Sequence, residues 1–157
     1  MDGFAIYDFP LAGGTLAIAP MPGRTRHYHS DWLHLAQWQP DLVISLTLQH
    51  ELERKGAGTL GRDLRNAGIG WLHFPVPDMG VAPDQGWDEI RTSVMTTLAS
   101  GGKVLVHCFG GCGRSGMMCL RLMIAAGEGR ETALERLRKA RPCAVETDAQ
   151  MDWAVRG

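Results

Sequence analysis

Residues 103–116, KVLVHCFGGCGRSG, gather the side chains best suited to chemistry: His107, Cys108, Cys112, Arg114 and Ser115, set among glycines. Two kinds of chemistry use such a set. In one, His107, Cys108 and Cys112 hold a metal, or the two thiols form a redox turn. In the other, one cysteine is a nucleophile lying beneath an anion. The preceding run, KVLVHC, is rich in branched apolar residues and reads as a strand, while RSGMMCLRLMIAAG reads as a buried helix. In so short a loop the backbone N–H groups converge on one point, and the helix dipole adds positive charge there. The glycines let that backbone approach a ligand closely. Arg114, in the first helical turn, is placed to grip two oxygens of a tetrahedral anion. Cys108 ends the strand at the bottom of this cup, where the helix terminus and the arginine both favour the attacking thiolate. A zinc site fits less well, because the usual ligand spacings are absent and a fourth ligand is missing.

The elements that must position this loop can be read on either side of it. TLAIAP (15–20) is a short strand, and DWLHLAQW (31–38) a brief helix with Asp31 as its cap, stopped by Pro40. DLVISLT (41–47) is a buried strand, LGRDLRNAG (60–68) a short helix ended by Gly68, and IGWLHFPV (69–76) another strand. After the turn PVPDMG, Asp84 caps a helix whose buried face carries Trp87, Ile90, Val94 and Leu98 at helical spacing. Beyond the loop and its helix, RETALERLRKARP forms an amphipathic helix halted at Pro142, and DAQMDWAV a last turn or two. Strands alternating with helices imply an α/β fold with a mostly parallel sheet of about four to five strands flanked by helices. Ligands in such sheets bind beyond the carboxyl ends of the strands, where the loop falls.

The 157 residues suit one domain, 1–157, and the 45% hydrophobic and 21% charged content is ordinary for a protein with a core. A formal net charge of −1 without a basic run argues against nucleic acid as a partner. The amino terminus, MDGFAIYDFPLAGG, lacks the basic start and apolar stretch of a signal peptide. No apolar run approaches the roughly 18 residues of a membrane span. The four cysteines are too few for a disulfide framework, so a reducing, cytoplasmic setting is expected.

Taken whole, His107-Cys108-Phe109-Gly110-Gly111-Cys112-Gly113-Arg114-Ser115-Gly116 resembles the signature of the cysteine-dependent protein tyrosine phosphatase superfamily. FPVPDMGVAP (74–83) resembles the acid-bearing turn of its compact dual-specificity-like members, and RKARPCAVETDAQ (138–150) their later Arg-Pro segment and Thr-x-x-Gln turn. The likeness runs in order from about residue 15 to about residue 153 and is closest to small bacterial-type members. It implies the tyrosine phosphatase-like fold and a phosphomonoester hydrolase that forms a cysteinyl-phosphate on Cys108. The loop from Phe109 to Arg114, with Gly110, Gly111, Cys112 and Gly113, would bind phosphate. Asp78 would be the general acid and then the base, Asp84 having the better position for a helix cap. Ser115 would assist the sulfur's departure, Gln150 would orient water, and His107 would order the loop. The implied partners are phosphorylated protein or peptide and phosphate- or sulfate-like anions, without nucleic acid or membrane. No cofactor or metal is implied, since arginine and backbone supply the positive field.

Other readings use the same residues. A catalytically weak phosphate-binding module needs the cradle without turnover. A phosphoinositide phosphatase needs extra charge, which the uncharged residues between Cys108 and Arg114 do not offer. A sulfurtransferase of rhodanese type fits poorly with Arg114-Ser115-Gly116 and Asp78. Cys112 departs from what phosphate binding requires, and a Cys108–Cys112 disulfide would make a reversible guard, with Cys143 as a second possible partner. Arg136, Arg138, Lys139 and Arg141 read as complements to a helix dipole, and Arg24 and Arg26 as a solvated loop near the rim.

Overall fold

The structure, a computed structural model, describes residues 3–157. In chain order its elements are β1 (Tyr7–Leu11), β2 (Gly14–Ala19), α1 (Tyr28–Trp38), β3 (Leu42–Ser45), α2 (Gln49–Arg54) and α3 (Leu60–Asn66). There follow β4 (Gly70–His73), α4 (Trp87–Ala99), β5 (Lys103–His107), α5 (Gly113–Ala125), α6 (Arg130–Ala140) and α7 (Asp148–Ala154). The strands form one sheet in the order β1-β2-β5-β3-β4, with β1 antiparallel to β2 and every other pair parallel. The strand that feeds the cysteine loop therefore lies at the centre of the sheet. No helix among the described residues is long and apolar enough to cross a membrane.

Alternation along the strands divides the core in two. Leu16, Ile18, Leu42, Ile44, Val104 and Val106 face the layer of Val94, Leu98, Met117, Leu120, Leu137 and Trp153, from α4 to α7. Ala17, Ala19, Val43 and Leu105 face Leu35, Leu52, Leu60 and Leu64, from α1 to α3. Both faces are covered, which is why LVIS and VLV read as continuous apolar runs and not as alternating ones. Each buried Val, Leu, Ile or Met among them contributes roughly 1.5–3 kcal/mol. Helix α5 is buried from Gly113 through Met123, so the helix that opens at the loop is also the best-anchored one.

The structure corrects two helix starts. Helix α1 begins at Tyr28, so Asp31 lies inside its first turn, and its carboxylate accepts the Gly23 N–H at 2.8 Å instead of capping the helix. Helix α4 begins at Trp87 behind Gly86, whose φ of 90° suits glycine. Asp84 is not its cap: it pairs with Arg156 at 3.0 Å and Arg121 at 3.8 Å. The buried face of α4 is Trp87, Ile90, Val94 and Leu98, as the spacing indicates. Two elements gave no readable signal. Strand β1 contains Pro10, tolerated because the strand is an edge pairing only with β2. Helix α2, QHELER, is short and polar with Leu52 its one buried residue.

Candidate active site

The loop from β5 to α5 is shaped by where its carbonyls go. The Cys108 carbonyl lies 3.1 Å from His107 Nδ1, and the Phe109 carbonyl accepts the Met21 N–H at 3.0 Å. The Gly110 and Gly111 carbonyls accept Arg141 Nη2 at 3.0 Å and Nε at 3.2 Å. The Cys112 carbonyl accepts the N–H groups of Gly116 at 2.9 Å and Val145 at 3.1 Å. In a trans peptide each carbonyl points opposite to the next residue's N–H. Tying these carbonyls to the scaffold therefore turns the N–H groups of Phe109 to Gly113 to the other side. Among the described residues none of those N–H groups donates to a backbone carbonyl. The result is a concave set of donors at the amino end of α5, fit for an oxyanion.

Cys108 lies under this concavity, buried, with Ser115 Oγ 3.1 Å from its sulfur. His107 is fully buried one residue before it, and its tautomer follows from its partners. Its Nδ1 faces a carbonyl and must carry the proton. Its Nε2 then accepts from Ser45 Oγ at 2.6 Å, while Ser45 Oγ accepts the Trp71 Nε1–H at 2.8 Å. This relay crosses β4, β3 and β5 and fixes the backbone of the cysteine. Burial holds the imidazole well below its usual range, at about 4.

Arg114 is buried and held from a distance. Its Nη1 donates to Glu51 Oε2 at 2.8 Å and to the Val76 carbonyl at 2.9 Å, and its Nη2 to Glu51 Oε1 at 2.9 Å. Burial works most strongly against both charges, yet the hydrogen bonds between them, with the Leu48 N–H on Glu51 and the charges of Cys108 and Asp78 near Arg114, together outweigh it, keeping Arg114 more basic and Glu51 more acidic than usual. The Nε–H of Arg114 is buried without a partner, a donor left for a ligand. Glu51, which the sequence reading missed, sits on α2 in a polar run that could equally be a solvated turn.

Asp78 stands on the loop facing the cradle, its side chain exposed, with Oδ1 3.4 Å from Arg114 Nη2 and accepting the Met79 N–H at 2.9 Å. Two ties hold this loop. Gln150 Nε2 donates to the Gly80 carbonyl at 3.1 Å, while its Oε1 accepts the N–H groups of Glu146 at 3.0 Å and Thr147 at 3.2 Å. At the loop's far end, Arg121, which Asp84 meets, lies between the faces of Trp87 and Trp153 at 4.3 and 4.4 Å. Gln150 also neighbours the cradle, since a Cβ on Gly113 would come 3.0 Å from its Oε1.

The pairing of Cys108 with Cys112 does not form. Cys112 is bonded to Cys143, with Cα atoms 5.1 Å apart, and Cys108 keeps a free thiol. The sulfur of Cys108 faces Ser115, whereas that of Cys112 faces the segment after α6. The same bond takes Cys112 out of any metal set. Arg138 and Arg141 likewise have defined partners, Arg138 donating to the carbonyls of Ala144 at 2.9 Å and Val145 at 3.1 Å. In front of the cradle is a cleft of about 510 Å³, lined by Arg24, Asp78, Met79, Phe109, Cys112 and Arg141 among others. Arg24 thus reaches the rim, 5.7 Å from the centre of the Phe109 ring.

Fold and site together place the chain among the small dual-specificity-like cysteine phosphatases. The family model described as "Polymorphic toxin system, DSP-PTPase phosphatase" matches residues 18–128, and the chain belongs to that family. It is 37% identical over 91 residues to cyclin-dependent kinase inhibitor 3 of Rattus norvegicus, a stretch covering 55% of this chain and 42% of that protein. An uncharacterized protein of Methanocaldococcus jannaschii is 34% identical over 86 residues, covering 54% of this chain and 56% of its own length. The match thus spans about half the length of these relatives. Among solved structures, Tk-PTP in its active form superposes with a TM-score of 0.75 at 29% identity, over 96% of this chain and 95% of that one. Kinase-associated phosphatase with its catalytic-site cysteine changed to serine shares the fold, with a TM-score of 0.86 at 23% identity, over 98% and 93% of the two chains.

Proposed function

We propose that the chain hydrolyses phosphate monoesters on tyrosine, and on serine or threonine, of phosphorylated proteins or peptides through a cysteinyl-phosphate. One observation carries this reading: the carbonyls of Cys108 to Cys112 are tied to the scaffold, so the N–H groups of Phe109 to Gly113 and Arg114 Nε remain as donors around a buried thiol. Such donors stabilise the equatorial oxygens, where charge gathers in phosphoryl transfer. The Cys108 sulfur attacks phosphorus and the P–O bond to the leaving group breaks. Asp78 gives that oxygen its proton. Water, oriented by Gln150 once its amide turns from Gly80, then attacks the phosphorus of the cysteinyl-phosphate; the P–S bond breaks and Asp78 takes the water's proton. Phosphate leaves and the thiolate returns, with Ser115 Oγ donating to it. We place the protein in the cytoplasm, where a single Cys112–Cys143 bond would be responsive and not permanent.

Turnover of p-nitrophenyl phosphate tests the reading. Wild type should show it and Cys108→Ser should abolish it while still binding inorganic phosphate. Asp78→Asn should cost about 10²–10⁴-fold in kcat. Phosphate binding without any turnover would make the protein a binding module instead.

A further inference from the structure

Two of the carbonyls that shape the cradle are held by a single side chain from another part of the chain. Arg141 follows α6 directly, and its guanidinium sits on the carbonyls of Gly110 and Gly111 with the Tyr7 ring 4.5 Å away. Four residues later the Val145 N–H donates to the Cys112 carbonyl. Between them Cys143 is covalently joined to Cys112. We propose that segment 141–145 is a clamp that sets the cradle and that the Cys112–Cys143 disulfide is its redox lock, so that closing the bond tightens oxyanion binding and reducing it loosens the site.

The clamp's own conformation supports this. Val145 adopts a φ of 67°, a region a β-branched residue occupies only where its surroundings over-determine it. Those surroundings are the two hydrogen bonds from Arg138, the close approach of Gly116, where a Cβ would lie 2.4 Å from the Val145 nitrogen, and the disulfide. Only the disulfide can be made and broken under mild conditions, and Cys143 is exposed. A dithiol reductant attacks the Cys143 sulfur, the S–S bond breaks, and Cys112 leaves as a thiolate and takes a proton. The resulting mixed disulfide is resolved by the reductant's second thiol, which frees Cys143 and leaves the reductant as a disulfide. The segment is then held by hydrogen bonds alone. When Arg141 lifts, the peptide planes of Gly110 and Gly111 are free to rotate and carry their N–H donors out of the cup.

This inference rests on the cradle binding phosphate, as in the proposed function. The test uses full-length Cys108→Ser protein, in which oxidation of the nucleophile itself plays no part, and inorganic phosphate as the probe in calorimetry. Oxidised protein should bind phosphate roughly 5- to 150-fold more tightly than the same protein reduced by a dithiol, the usual span of coupling between two sites. Adding Cys143→Ser should give the weak affinity in both conditions. Arg141→Met should weaken binding even with the bond closed, at an unfolding midpoint that shows the fold intact. Equal affinity in the two redox states overturns the lock, as does thiol mapping that finds no Cys112–Cys143 bond after oxidation. If wild type turns over p-nitrophenyl phosphate but phosphate affinity ignores redox state, the lock fails alone. If affinity follows redox state and no turnover occurs, the phosphatase reading fails alone.

Discussion

Glu51 holds Arg114 in place. With the side chain of Arg114 1% exposed and that of Glu51 13% exposed, the pair exchanges little with water. Breaking a buried pair by removing one partner costs about 3–5 kcal/mol, because the remaining charge is uncompensated. Glu51→Gln keeps the shape and one acceptor, so its cost should fall toward the lower end. A phosphate ion bound in the proposed cradle would restore negative charge beside the guanidinium. The expected outcome is a lower melting temperature for Glu51→Gln, a larger rise on adding phosphate than wild type shows, and a reduced kcat/KM. An unchanged melting temperature would show that the pair contributes nothing. Cys108, Arg114 and Ser115 were legible because they lie within one continuous loop whose spacing alone brings them together. Glu51 was not, since nothing local in QHELER distinguishes a residue that meets an arginine 63 positions away. Arg141 was misread for the same reason: its place near a helix end explains a charge, but not where a long side chain reaches.

Elements decide which parts of the loop tolerate change. The glycines of the loop look alike in the sequence, yet the end of β2 passes behind only one side of the cradle. Gly111 has a φ of 72°, and a Cβ there would lie 2.6 Å from the Pro20 nitrogen and 2.7 Å from the Ala19 carbonyl carbon, backbone atoms that cannot step aside. Gly110 has nothing within 4 Å of its Cβ position. Gly111→Ala should therefore carry the left-handed penalty of roughly 1–2 kcal/mol together with displacement of the β2 exit, weakening both stability and phosphate binding. Gly110→Ala should leave both nearly unchanged. Denaturant midpoints and phosphate affinities of the two variants decide the matter, and equal effects would refute this account of the loop. The parallel strands and helix α5 were readable because burial all round leaves continuous apolar runs, and α4 because burial on one face imposes a period. Strand β1 and helix α2 impose none, one being a proline-containing edge and the other a single polar turn and a half.

At the scale of the whole molecule, the cradle is bound to the sheet through a histidine that must stay neutral. His107 joins β5 to β3 and, through Ser45, to Trp71 of β4, so its protonation opposes the fold and not merely the site. Its value of about 4 in the folded protein lies below the 6.5 of an unfolded chain. Between these two pH values the unfolded state binds a proton that the native state refuses, and stability falls as pH falls. The stabilisation is complete above about pH 6.5, and its loss by about pH 4 amounts to about 3 kcal/mol. Glu51, held below the ordinary carboxylate range by Arg114 and the Leu48 N–H, adds a further loss of the same sign, beginning only below its unfolded value of 4.5. Urea midpoints measured from pH 7.5 down to pH 4.5 isolate the histidine. Wild type should lose stability steadily below about pH 6.5, whereas His107→Asn, less stable at neutral pH, should give a flatter profile over the same window. If the two profiles run parallel, the acid sensitivity belongs to other groups and the neutral-histidine relay does not govern it.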